Sequence, residues 1–196
     1  MPRQSKKDNA IQTEWPEHYR VFGADLSLKR PGFCLMELSR QNNETKIVNI
    51  KTASVDNKTK NKTHGQLLME TAIVLKEFLQ DNLLPTFYVR EHAFSGRGAA
   101  SDQGVFETVG ISNLVLWQTQ GQIWKELYPV TIKRLLTGSG KATKPEVAEA
   151  VQKIVGHKMK FACDDESDAC AVAIAWLLQA GQLTQNISTQ QEVQPI

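Results

Sequence analysis

Four carboxylates stand where apolar segments begin or end. Asp25 closes the run Val21–Phe22–Gly23–Ala24, and Glu91 closes Phe87–Tyr88–Val89–Arg90. Asp165 and Asp168 open the stretch that continues through Ala169–Leu178. A carboxylate set against apolar surface is costly to bury unless something binds it. Three separated acidic positions of this kind suggest one site assembled from distant parts of the chain. Carboxylates without thiolate or imidazole partners select a hard cation such as Mg²⁺ or Mn²⁺. The i, i+3 spacing of Asp165 and Asp168 puts both on one face of a helix, near the end whose dipole favours anions. Plain helix capping is the competing reading of Asp164–Asp165–Glu166. A surface pair on an edge strand is the competing reading of Glu91–His92. Capping explains neither Asp25 nor Glu91.

The elements that would position these groups follow from the hydrophobic pattern. Strand-like runs cover about 20–26, 32–39 and 46–54. The turn signals Pro31–Gly32 and Gln41–Asn42–Asn43 separate them, which makes an antiparallel meander. Helical spacing of Leu67, Leu68, Thr71, Val74, Leu75, Phe78 and Leu79 predicts a helix over 63–81. A strand over 86–91, a helix over 102–119 and a strand over 123–129 follow. Short helices at 130–136 and 144–155, the latter with Pro145 in its first turn, precede a last helix at 166–180. Ala169, Ala173 and Ala175 would let that helix lie close to the sheet. The order describes an α/β, RNase H-like (ribonuclease H-like) domain: a mixed five-stranded sheet with helices on both faces. Residues 1–19 read as a flexible N-terminal extension, 20–181 as the domain, and 182–196 as a disordered C-terminal tail.

With 196 residues, the chain can bury a core without covalent staples. Cys34, Cys163 and Cys170 are odd in number and lack CxxC spacing, which argues for a reducing, cytoplasmic setting. His157 near Cys163 does not complete a zinc set. No run of 18 apolar residues is present to span a membrane. The net charge of +2 identifies no partner, but its distribution is informative. Lys51, Lys58, Lys60, Lys62 and His64 form one basic cluster, and Lys133, Arg134, Lys141 and Lys144 form another. Basic patches flanking an acidic pocket suit a polyanion held over metal ions; a solvated lysine loop is the alternative for the first cluster.

Two further segments invite a reading. Leu136–Thr137–Gly138–Ser139–Gly140–Lys141–Ala142–Thr143 fails as a nucleotide-binding Walker A loop, because Leu135 stands where its first Gly belongs and Ala142 follows the Lys. As a Gly-Ser-Gly turn with nearby lysines it could hold a DNA phosphate, or be only a turn. Phe94, on a loop beside the acidic strand, could stack on an unpaired base, or simply pack locally.

These blocks resemble the RuvC family of Holliday-junction resolvases over about residues 20 to 180. "VFGADLSLKRPGF" is similar to the family's first strand and turn, and "YVREHAF" to its strand ending in Glu plus an aromatic. "TIKRLLTGSGKATKPEV" is similar to its lysine-and-glycine segment, and "DDESDACAVAIAWL" to its terminal acidic helix. The resemblance implies a homodimer and two divalent ions per active site, Mg²⁺ with Mn²⁺ as a substitute. It assigns Asp25, Glu91, Asp165 and Asp168 as metal-binding catalytic carboxylates, and Lys133 and Lys144 as lysines that contact DNA or support catalysis. Phe94 matches the aromatic that stacks near the strand-exchange point, and the helix at 102–119 the dimer-forming helix. Arg97, Lys141, Lys58 and Lys60 join the expected DNA-binding set. Leu26–Ser27 replaces the family's usual Pro-Gly, pointing to a diverged, phage- or mobile-element-type member.

The expected function is structure-specific endonuclease action on four-way DNA junctions, by paired symmetric metal-dependent hydrolysis. Two ions bridged by Asp25 would activate water and stabilise the leaving oxygen, with Lys133 offsetting transition-state charge. The expected location is cytoplasmic, at the nucleoid in a bacterium. The rival expectations are an RNase H-like nuclease for branched or flap DNA or structured RNA, and a non-catalytic junction-binding protein. A small-molecule substrate, as in the sugar kinases and ATPases of related fold, is not expected, since phosphate-loop glycines and a second domain are lacking.

Overall fold

A computed structural model describes residues 15–55, 62–80, 86–96, 98–155 and 159–184. The expected positions Lys58, Lys60 and Arg97 lie outside the described residues, as does the expected tail beyond Thr184. In chain order come β1 (His18–Asp25), β2 (Gly32–Gln41), β3 (Glu44–Ser54), α1 (His64–Leu79), β4 (Thr86–Glu91), α2 (Ala99–Gln120), β5 (Lys125–Leu127), α3 (Pro129–Thr137), α4 (Lys144–Val155) and α5 (Asp164–Gln179). The five strands form one sheet in the order β3-β2-β1-β4-β5. The first three pair antiparallel, and β4 then lies parallel to β1 and β5 parallel to β4.

Strand alternation sorts the core into two layers. Tyr19 and Val21 of β1, Cys34 and Met36 of β2, and Val89 of β4 pack against α3, α4 and α5. Phe22 and Ala24, Phe33 and Leu35, and Tyr88 face α1 and α2 instead. Both faces of the sheet are thus covered by helices, as the pattern predicts. The β2–β3 turn also matches: Asn42 and Asn43 carry φ values of 51° and 65°, a left-handed pair that asparagine tolerates better than most residues.

Several boundaries differ from expectation: α2 starts at Ala99 and not at 102, β3 at Glu44 and not at 46, and β2 runs on to Gln41. β1 starts at His18 and not at 20, and residues 15–19, expected in the extension, are docked in part by aromatic packing. Trp15 lies 5.2 Å from Tyr19, 4.9 Å from Phe87 and 5.4 Å from Trp176 between ring centroids. β5 has three residues instead of seven, because Tyr128 already caps α3 and Pro129 occupies its first turn. α5 begins two residues earlier than expected, so Asp165 lies within the helix.

Close approach of α5 to the sheet depends on two glycines. A Cβ on Gly23 would sit 2.4 Å from the Ala169 carbonyl oxygen and 2.9 Å from the Ala173 Cβ. A Cβ on Gly32 would sit 2.0 Å from the Asp165 carbonyl oxygen. The small residues of α5 and these two glycines together bring the helix N-terminus down onto the strand ends.

Candidate active site

Asp25 follows Tyr19, Val21 and Gly23 on the α5 side of β1, and Glu91 follows Val89 on the same side of β4. The parallel register pairs Ala24 with Arg90, so Asp25 and Glu91 are neighbours one step further on. Both end their strands at the carboxyl edge of a parallel pair, the edge where open α/β sheets bind ligands. α5 brings Asp165 and Asp168 to this edge from the third direction.

The electrostatics record the convergence. Burial, reinforced by the charges of Glu91, Asp168 and Asp165, pushes the Asp25 carboxyl up to about 8, with Lys144 opposing the shift. Lys144 donates to Asp168 Oδ2 at 2.6 Å, and this bond, with the nearby charges of Asp25 and Asp165, raises its own pKa. Arg30 Nε lies 3.8 Å from Asp165 Oδ2. Asp165 and Asp168 therefore each lean towards one cation. Among the described residues, no three His, Cys, Asp or Glu groups converge tightly enough to share an ion in these rotamers. The donor chemistry nevertheless fits a hard divalent cation: four carboxylates, one of them held protonated near neutral pH by burial and by the charges of the others.

Capping does not account for the acidic helix start. The N-cap is Cys163 and makes no side-chain capping bond. Glu166 instead braces the helix start against its surroundings. Only 5% exposed, it accepts from Thr52 Oγ1 (2.9 Å), Ser54 Oγ (3.0 Å) and the Ala162 amide (3.0 Å). It thereby ties the turn carrying Asp165 and Asp168 to β3. Glu166→Ala is expected to destabilise the protein by about 2–3 kcal/mol, since a charged acceptor of several bonds is lost. Glu166→Gln, which keeps an acceptor oxygen, should retain most of that; urea denaturation of the two variants checks the difference.

The remaining expected residues distribute as follows. Phe94 is 47% exposed and lines a pocket with Asp25, Leu26, Glu91, His92, Ala93 and Val105. Lys133 is half-buried on α3; among the described residues, the cations paired with Asp165 and Asp168 are Arg30 and Lys144. Lys141 is exposed in the turn after α3, where Gly138 adopts φ 81°. Sequence reasoning missed Arg30, Glu166 and Glu126. Arg30 is five residues past Asp25 in a loop and carries no periodic signal. Glu166 was hidden in an acidic run. Glu126 binds His92 Nδ1 at 2.6 Å and also Arg90, a pairing that only strand order creates.

Comparison with known proteins adds the following. A family profile described as Crossover junction endodeoxyribonuclease RuvC matches residues 21–176. A protein of that description from Prochlorococcus marinus subsp. pastoris is 30% identical over 162 residues, covering 83% of this chain and 98% of its own length. One from Prochlorococcus marinus strain SARG is 28% identical over 159 residues, covering 81% and 98%. The solved structure of Thermus thermophilus RuvC in complex with Holliday junction substrate superposes with a TM-score of 0.68 at 20% identity, covering 84% of this chain and 97% of that one. That last likeness concerns the fold.

Proposed function

The chain belongs to the RuvC family of crossover junction endodeoxyribonucleases, and from that premise we propose that it resolves four-way DNA junctions by paired, symmetric phosphodiester hydrolysis. The observation that carries the proposal is the coupling of Asp25 to Glu91, Asp165 and Asp168 at one sheet edge. Such a cluster is self-repelling and serves no stabilising purpose by itself. The family is metal-dependent; Asp25, Glu91, Asp165 and Asp168 would hold two Mg²⁺ ions here, with Mn²⁺ able to substitute. Bound metal supplies a water of lowered pKa and stabilises the charge on the leaving oxygen. This chain's own groups orient the strand. Lys144 is within reach to exchange Asp168 for a phosphate, and Phe94 offers a ring beside the pocket. Lys133 and Lys141 follow on the same helix-turn-helix segment as phosphate contacts. No described helix is long and apolar enough to cross a membrane. A nuclease acting on DNA works in the cytoplasm, at the nucleoid if the source is a bacterium.

Paired nicks need two sites related by a two-fold axis, hence a homodimer. α2 offers the surface. Phe106, Leu114 and Trp117 are 47%, 49% and 61% exposed on one side of it, and nothing lies within 4 Å of a Cβ built on Gly110 between them. That combination permits close crossing with a second copy of the helix. Trp117→Glu is expected to shift the protein to monomers in sedimentation velocity and to replace paired nicks by single ones.

The direct test is Mg²⁺-dependent cleavage of a mobile four-way junction with both strand ends labelled. Symmetric paired products support the proposal. Binding without products at any Mg²⁺ or Mn²⁺ concentration, or preferential cutting of a fork or an RNA hairpin, would overturn it.

A further inference from the structure

Tyr128 is 61% exposed, yet its ring rests on a neighbour that is itself braced. Its ring centroid lies 4.4 Å from that of His92. His92 in turn lines the pocket shared by Asp25, Glu91 and Phe94. The support behind His92 runs deep. Its amide donates to the Leu127 carbonyl at 2.8 Å, and Nδ1 lies 2.6 Å from Glu126 Oε2. The other oxygen of Glu126 accepts from Arg90 Nε and Nη2. Arg90, with a side chain only 8% exposed, also donates to Ser112 Oγ and Asn113 Oδ1 on α2. From the other side, the Tyr128 carbonyl accepts from the Thr131 and Ile132 amides in the first turn of α3.

A buried guanidinium thus fixes a carboxylate, which fixes an imidazole, which backs a phenol ring left mostly in water. Stability alone does not account for this arrangement, since an exposed ring contributes little burial and a buried charged network is weak evidence for stability. A rigid exposed aromatic beside a nuclease site does suit one ligand, the face of an unstacked base, which tolerates any sequence because every base has one. Tyr128 stands apart from Phe94 in the chain and meets His92, which lines the pocket, from the N-cap position of α3.

We infer that Tyr128 is a further DNA-contacting residue, a second stacking platform for a base unpaired at the junction, and that His92, Glu126 and Arg90 are its positioning residues. This rests on the reading of the carboxylate cluster as a junction nuclease site. The test uses the full chain and four-way junctions carrying 2-aminopurine at single positions flanking the crossover, without metal for binding and with Mg²⁺ for cleavage. The wild type should quench the probe at one or two positions. Tyr128→Ala should lose that position-specific quench and weaken junction binding roughly 5- to 150-fold, the range for one stacked base, while remaining the same size in sedimentation. Tyr128→Trp should restore both. Equal quench and affinity in wild type and Tyr128→Ala would overturn the inference, as would a loss that Tyr128→Trp fails to restore. Wild-type protein that shows the quench but never cuts would remove the nuclease reading and keep the contact.

Discussion

Asp25→Asn is expected to leave junction binding within a few-fold of wild type while cleavage falls on the order of 10³-fold or more, because the group removed is the one all three other carboxylates act upon. Single-turnover cleavage with saturating protein separates the two effects. Near wild-type cutting by the variant would remove Asp25 from the chemistry. A second readout follows from linkage. The folded chain holds the Asp25 proton up to about pH 8, against an ordinary value of 3.8. Between those limits the folded state binds more protons than the unfolded one, so the metal-free protein loses stability as pH rises through that window. Asparagine carries no such proton. The variant should therefore melt above wild type at pH 8 without metal and close to it at pH 4, with the gap closing when Mg²⁺ is added. Melting curves that keep the same difference at both pH values would contradict the assignment.

Gly32→Ala is the expected structural counterpart. Its Cβ would meet the Asp165 carbonyl oxygen at 2.0 Å and the carbonyl carbon at 2.4 Å, which are backbone atoms with no rotamer to change. α5 must move away from β2. Overpacking of this kind costs about 1–3 kcal/mol or more, and a displacement near 1 Å at a catalytic group can cost roughly 10²-fold in rate. Gly104→Ala is the contrast. The atoms it meets belong to the Leu28 side chain, nearest at 2.9 Å, and that side chain can shift. The expected result is a large loss of both urea stability and cleavage for Gly32→Ala, and a smaller loss of stability with cleavage retained for Gly104→Ala. Equal effects from the two would show that α5 is not held by this contact.

Much of the fold was readable because its signals are local. The meander's turns are marked by Pro31–Gly32 and by Asn42–Asn43, and the helices by apolar spacing such as that from Leu67 to Leu79. β5 was read too long because a three-residue strand has no period to measure, and because the apolar pair Ile123–Trp124 before it looks the same in sequence. In the structure Ile123 is 77% exposed and Trp124 is buried. The start of α5 was misplaced for a related reason. Acidic residues at a helix start signal capping, whereas the cap position belongs to Cys163 and the bonds to Glu166.

The sequence by itself determined which residues have the chemistry: carboxylates at the ends of apolar elements, a hard-cation donor set and lysines on a glycine turn. These are properties of residue type and of neighbours within a few positions, so they need no folded chain to be legible. Only the tertiary structure decided which cation faces which α5 carboxylate, Lys144 on Asp168 and Arg30 on Asp165. It alone joined Arg90, Glu126, His92 and Tyr128 into one support, and set Gly32 under Asp165. Such contacts depend on strand order and on how closely a helix can approach a sheet. Both are set by packing between segments far apart in the chain, for which no local pattern carries a signal.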